Sequence, residues 1–208
     1  MAKEDIKLLE SGDISFYVRH KVISPGESMR VRDQTEVQHL YIVLQSNSTN
    51  LYRLLIVGKK ELPSTEEHEK NLIIVDVVTK ESNDIFETLK KDVYDTSTRG
   101  ERIQPEAVVV ADGTYSITLD GKQTFFNYNL SHTNMSKKFM TSLNIADHGN
   151  YVLSVKNPEL ILPDDSKIIL AYPNKFKKIF KGLHFIAAYP IELINYVNAQ
   201  VIFIGISS

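Results

Sequence analysis

Ala107–Leu130 reads AVVVADGTYSITLDGKQTFFNYNL. Three runs rich in β-branched and aromatic residues, Ala107–Ala111, Tyr115–Leu119 and Thr124–Leu130, are separated by Asp112-Gly113 and by Asp120-Gly121. An Asp-Gly pair between such runs supplies the positive φ angles that a two-residue hairpin turn requires. The stretch therefore predicts three antiparallel strands in a meander. It makes the chain a strand-rich protein before any other segment is read.

The same grammar extends outward in both directions. Upstream, Ile14–Val22 (ISFYVRHKV) follows a Ser-Gly-Asp turn signal. Leu40–Leu44 (LYIVL) and Leu51–Val57 (LYRLLIV) flank the polar cluster SNSTN at Ser46–Asn50, which predicts a second hairpin. Leu72–Val78 (LIIVDVV) is almost continuously apolar and reads as a central strand. Downstream, strands are expected at Tyr151–Val155, Ile168–Tyr172, His184–Ala188 and Gln200–Ile206. Helices are fewer. Ile85, Phe86, Leu89 and Val93 recur at helical spacing and predict a helix over Asn83–Tyr94, with Glu87, Lys90 and Lys91 facing water. Shorter helices are expected at Ser136–Leu143, Asn174–Lys181 and Ile191–Val197.

The predicted fold class is α+β: mainly antiparallel sheet or sheets with a few short helices, in a single domain spanning 1–208. The polar loop Asp95–Pro105 divides it into sub-halves 1–97 and 98–208. YRLLIVGKKELP (Tyr52–Pro63) and YVLSVKNPELILP (Tyr151–Pro163) both run from a strand through basic residues to Glu-Leu, a faint echo that leaves two similar halves open as an alternative to one undivided body.

Composition narrows function mainly by exclusion. A chain of 208 residues with 42% hydrophobic and 24% charged residues can bury a full core. The formal net charge of -2 lacks the basic excess of a general nucleic-acid binder, so nucleic acid is a disfavoured partner. The absence of cysteine rules out disulfides, thiolate metal sites and cysteine nucleophiles. Charges interrupt the amino terminus, and no apolar run approaches the length of a membrane span, so no membrane span is expected and the expected location is cytoplasmic.

GDISFYVRHKV (Gly12–Val22), YRLLIVGKKELP (Tyr52–Pro63), TRGER (Thr98–Arg102) and YVLSVKNPE (Tyr151–Glu159) together resemble an uncharacterised bacterial protein family with no assigned function. The resemblance spans most of the chain. It implies one conserved body and brings with it no reaction, ligand, partner or site residue.

No catalytic motif is present. Gly58-Lys59 lacks the remaining residues of a phosphate-binding loop, and no Gly-x-Gly-x-x-Gly occurs, so no cofactor is expected. No Gly-x-Ser-x-Gly elbow appears. The six histidines include no metal-ligating helical pair, and Glu66-Glu67-His68-Glu69 reads as a solvated acidic turn, so no metal site is expected. Tyr41, Tyr52, Tyr115, Tyr128 and Tyr151 fall in expected strands and read as core packing.

The remaining signal is positive charge at strand ends. Arg19 and Lys21 alternate near the end of the first strand, Lys59 and Lys60 follow another, Arg99 and Arg102 flank the mid-chain loop, and Lys156 ends a third strand. If these converge they form an anion-binding cleft, since arginine offers a fork of donors to carboxylate or phosphate. Ordinary surface lysines and edge protection explain the same residues without a ligand. In Asn174–Lys181 (NKFKKIFK), Phe176, Ile179 and Phe180 are expected to dock in the core, with the lysines solvated. The leading expectation is a non-catalytic binding or interaction protein taking an anionic small molecule, or a protein strand at an exposed sheet edge. A hydrolase or transferase with a site dispersed in sequence, and a nucleic-acid accessory protein using a local basic surface, remain open alternatives.

Overall fold

A computed structural model describes residues 6–27, 34–98, 100–160, 170 and 172–207. Arg99, and most of the strand expected at Ile168–Tyr172, lie outside the described residues.

Among the described residues eleven strands form: β1 (Lys7–His20), β2 (Val37–Ser46), β3 (Tyr52–Val57), β4 (Lys70–Thr79), β5 (Asp92–Thr96), β6 (Gly100–Gln104), β7 (Val108–Asp120), β8 (Gln123–Thr133), β9 (His148–Lys156), β10 (Phe185–Ala187) and β11 (Gln200–Gly205). The helices are α1 (Ser82–Leu89), α2 (Lys137–Ser142) and α3 (Asn174–Lys177). The expected antiparallel, strand-rich character holds, but the sheet is not open. It runs β9-β11-β4-β3-β2-β1-β7-β8, and β8 pairs back onto β9, closing an eight-stranded antiparallel barrel. β10 adds to β9 beside β8, and β5–β6 is a separate two-stranded arm. Closure leaves each of the eight barrel strands hydrogen-bonded on both sides, so the row of free edges on which a strand-addition partner would depend is absent from the barrel wall.

Alternation along each strand decides what faces the lumen. On β1, Ile14, Phe16 and Val18 are buried inside, while Tyr17 and Arg19 point outward. A run of aromatic rings fills the barrel. Phe16 meets Tyr128 at 5.2 Å between centroids, Tyr128 meets Tyr151 at 6.3 Å, Tyr151 meets Phe203 at 5.3 Å, Phe203 meets Phe126 at 4.8 Å and Phe126 meets Tyr115 at 5.8 Å. At one end Leu62, Phe139, Met140 and Leu143 join this core; towards the other, Phe176, Phe180, Leu193 and Ile194 do. The phenylalanines of the basic segment are thus buried, as expected.

Below the rings, Arg53 is fully buried and points inward from β3. Its Nη1 and Nη2 donate to the two carboxylate oxygens of Glu10 at 2.7 and 2.9 Å, and its Nε donates to Asn195 Oδ1 at 2.7 Å. Tyr115 Oη donates to Glu10 Oε1 at 2.7 Å. Burial alone would raise the Glu10 pKa, but the paired bonds and charge of Arg53 outweigh it and hold the carboxyl below its ordinary value.

Several expected elements change, among them the Ser11-Gly12-Asp13 turn signal, which lies inside β1, and the helix expected over Asn174–Lys181, which ends at Lys177. The run over Val108–Asp120 is one strand, and Gly113 sits inside it at a register shift rather than in a turn. A Cβ there would lie 2.1 Å from Asn129 O, so glycine answers close backbone approach. Asp120-Gly121 does turn the β7–β8 hairpin, with Gly121 at φ 57°. The helix expected over Asn83–Tyr94 stops at Leu89, where Lys90 turns extended, and Val93 and Tyr94 enter the β5–β6 arm. Ile191–Val197 contributes only a single 3-10 turn at Ile191–Ile194.

Candidate functional site

α1 lies against the outside of the barrel. Its Ile85 and Leu89 are buried with Tyr41, Leu54 and Ala107 in a second apolar cluster, separate from the lumen. Ser82 opens the helix close to the end of β4, and Thr79 Oγ1 donates to Asp84 Oδ2 at 2.6 Å to fix the entry. The other end of α1 is held by Arg19. That guanidinium donates from Nη2 to Thr88 O at 2.8 Å, from Nη1 to Lys90 O at 3.1 Å and Pro105 O at 3.0 Å, and from Nε to Tyr41 Oη at 3.2 Å. A cation on the last carbonyls of a helix satisfies orphan acceptors and opposes the negative end of the helix dipole.

Arg19 is only 2% exposed, and its side chain forms part of the lining of an open depression of about 320 Å³. Glu87, Thr88, Lys90 and Lys91 of the α1 end, with Asp92 and Gln104 of the arm, complete the wall. The wall holds three cations against two carboxylates. Lys90 is paired with Glu87, whereas Lys91 makes no ion pair among the described residues. Arg19 also has no carboxylate partner among them. A guanidinium has five N–H donors, and the four bonds above leave one Nη2 hydrogen over. A second hollow of about 110 Å³ lies at the start of α1, between Ser82, Ile85 and Phe86 and the outward side chains Asp13, Tyr17 and Tyr52.

The wall nearby carries shifted groups. Burial pulls the His39 pKa down, helped by the charges of Arg19 and Lys60, while burial pushes Asp76 up against the opposing pull of His39. Burial likewise raises Tyr41 and Tyr17. The ring of His39 stands 5.7 Å from that of Tyr41. No group of three or more histidine and carboxylate side chains among the described residues could hold a metal ion.

The basic residues singled out in the sequence are gathered only in part. By strand direction, Arg19, Lys21, Lys59 and Lys60 all follow or end strands at one end of the barrel, and Lys156 ends β9 at the opposite end. Arg19 alone among them lines the depression. The register shift between Arg19 and His20 breaks the alternation before Lys21, which is exposed beyond the strand. Lys59 and Lys60 sit in the β3–β4 turn, with Lys60 at φ 66°. Arg102 Nη1 donates to Ser24 Oγ at 2.7 Å. Lys156 is 7% exposed. Lys90, Lys91 and Asp92 were not singled out, because the apolar spacing carried the helix past them. The signal that could have found them is the β-branched and aromatic alternation of Asp92–Thr96 (DVYDT) directly after two lysines.

No protein-family model matches the chain, and no curated protein or solved structure is significantly similar to it.

Proposed function

We propose that the protein is a non-catalytic binding protein that takes a small carboxylate or phosphate from outside the barrel, in the depression at the end of α1. One observation carries this reading: Arg19 is a nearly buried guanidinium facing a hollow, bonded to carbonyls and a phenol but to no carboxylate among the described residues. A charge withdrawn from water without a counterion favours an anion beside it. The hollow has the volume of a small-ligand site. Lys91 at its margin adds steering charge without a competing ion pair. The filled lumen supports an external site, because the aromatic run leaves the interior to its own side chains.

The test is a thermal-melting screen with inorganic phosphate, citrate and a nucleoside triphosphate. A ligand at about ten times its Kd adds about 1.4 kcal/mol to stability. For a domain of this size that raises Tm by about 3–5 °C. Lys91→Glu should weaken the shift while leaving the ligand-free Tm within about 1 °C, since exposed substitutions are near neutral. No shift with any of the three anions at millimolar concentration, or an undiminished shift in Lys91→Glu, contradicts the reading.

A further inference from the structure

The opposite end of the barrel carries an independent surface. Between Pro173 and Pro190 the chain has four lysines, Lys175, Lys177, Lys178 and Lys181, and no carboxylate, although the whole protein has a net charge of -2. All four are exposed, while Phe176 and Phe180 root the segment in the core. Lys177 meets Glu159 at 3.3 Å in a surface pair; Lys175, Lys178 and Lys181 make no ion pair among the described residues.

The loop that follows presents apolar side chains to water in a fixed pose. Lys181 and Gly182 adopt φ 48° and 76°. Leu183 N–H donates to Phe180 O at 2.8 Å, Asn157 Nδ2 donates to Leu183 O at 3.1 Å, and Asn157 N–H donates to His184 O at 2.8 Å. With its backbone tied at both sides, Leu183 is still 57% exposed; Phe185, at the start of β10, and Tyr189, in the turn after it, are 40% and 44% exposed. Lys7 Nζ stands 5.7 Å from the Tyr189 ring and adds another cation to this face.

We propose that this end of the barrel docks on an anionic lipid surface, with Lys175, Lys178 and Lys181 meeting the headgroups and Leu183 and Phe185 entering the acyl boundary. Lysine stems reach past apolar neighbours to place their charge at a headgroup, and apolar side chains beside them add burial that a purely ionic contact lacks. An unpaired lysine cluster complements the negative potential of an anionic leaflet. A single-stranded RNA would use aromatic faces for stacking but has no use for an aliphatic side chain at the tip of the loop, and Leu183 is the most exposed apolar residue there. The site does not depend on the anion depression, which lies at the other end of the barrel.

The experiment is co-sedimentation of the full chain with vesicles of phosphatidylcholine alone and of phosphatidylcholine with about 30% phosphatidylserine, a composition that mimics an anionic leaflet. Binding is expected only to the second and should fall at high salt, as screening shortens the reach of the lysines. Lys178→Glu with Lys181→Glu should reduce it by about tenfold or more. Leu183→Ser with Phe185→Ser should do the same, through lost insertion. Both double variants should keep the wild-type melting temperature, since the altered side chains are exposed. No binding to the anionic vesicles, equal binding to neutral ones, or full binding by either double variant overturns the proposal.

Discussion

Replacing Arg53 with methionine is expected to cost about 3–5 kcal/mol of folding stability at neutral pH, because it strands a buried carboxylate. Both oxygens of Glu10 lie against that guanidinium, and Glu10 is 3% exposed. Tyr115 Oη would remain as a donor to Glu10, but it carries no compensating charge. Urea unfolding would read the loss directly, and thermal melting should fall by about 6–20 °C. The pH dependence gives the sign. In the wild type the folded pKa of Glu10 lies below the ordinary 4.5, so its contribution is present above that value and is lost as pH falls through the folded pKa. In the variant the charge and hydrogen bonds of Arg53 are gone and only hydrogen bonds from Tyr115 and Ser46 oppose burial, so the folded pKa moves up from its wild-type position. The deficit should therefore shrink on acidification towards pH 4. A second change, Glu10→Gln on the Arg53→Met background, should recover part of the loss, giving a coupling energy in a double-mutant cycle. A cost under about 1 kcal/mol would mean that water reaches the pair, as in exposed ion pairs.

Phe126→Ala is the second large effect, expected to cost about 3–5 kcal/mol. Phe126 is 1% exposed and sits in the middle of the aromatic run, between Tyr115 and Phe203. Its neighbours come from separate strands of a closed wall and cannot all collapse into the space it vacates. The near-ultraviolet circular dichroism, which depends on the fixed packing of Tyr115, Tyr128 and Tyr151, should change with it. Phe86→Ala, on α1 and 51% exposed, should stay within about 0.5 kcal/mol of wild type. Similar small costs at both positions would point to a spacious lumen rather than a packed one.

Local chemistry made much of this fold legible. The β2–β3 hairpin around SNSTN, the β7–β8 turn at Asp120-Gly121 and the short helix α2 all follow from turn residues and periodicity within a few positions of one another. Barrel closure does not. It depends on β1 pairing with β7 and on β4 pairing with β11, contacts between distant segments for which alternation gives faces but no partners. Asp112-Gly113 has the composition of a turn, and only the approach of the β8 backbone turns its glycine into a strand residue. The end of α1 was hidden for a related reason, since Ile85, Phe86, Leu89 and Val93 keep helical spacing while the stop is fixed by Arg19, about 70 residues earlier in the chain. Arg53 was visible as a charge inside LYRLLIV, a warning of an inward-pointing ion, but its partner Glu10 could not be paired with it from sequence. Among the strand-end cations, Lys156 fails to join Arg19 because successive antiparallel strands send their ends to opposite mouths of the barrel.

Two-dimensional amide NMR during a phosphate titration tests the central claim most directly, that small anions meet this barrel at the end of α1 and never in its lumen. Saturable shifts confined to the amides of Thr88, Lys90, Lys91, Asp92 and Gln104 are the predicted result. Shifts centred on Glu10, Tyr115, Phe126 and Tyr151, or no saturable shift at any amide, would contradict it.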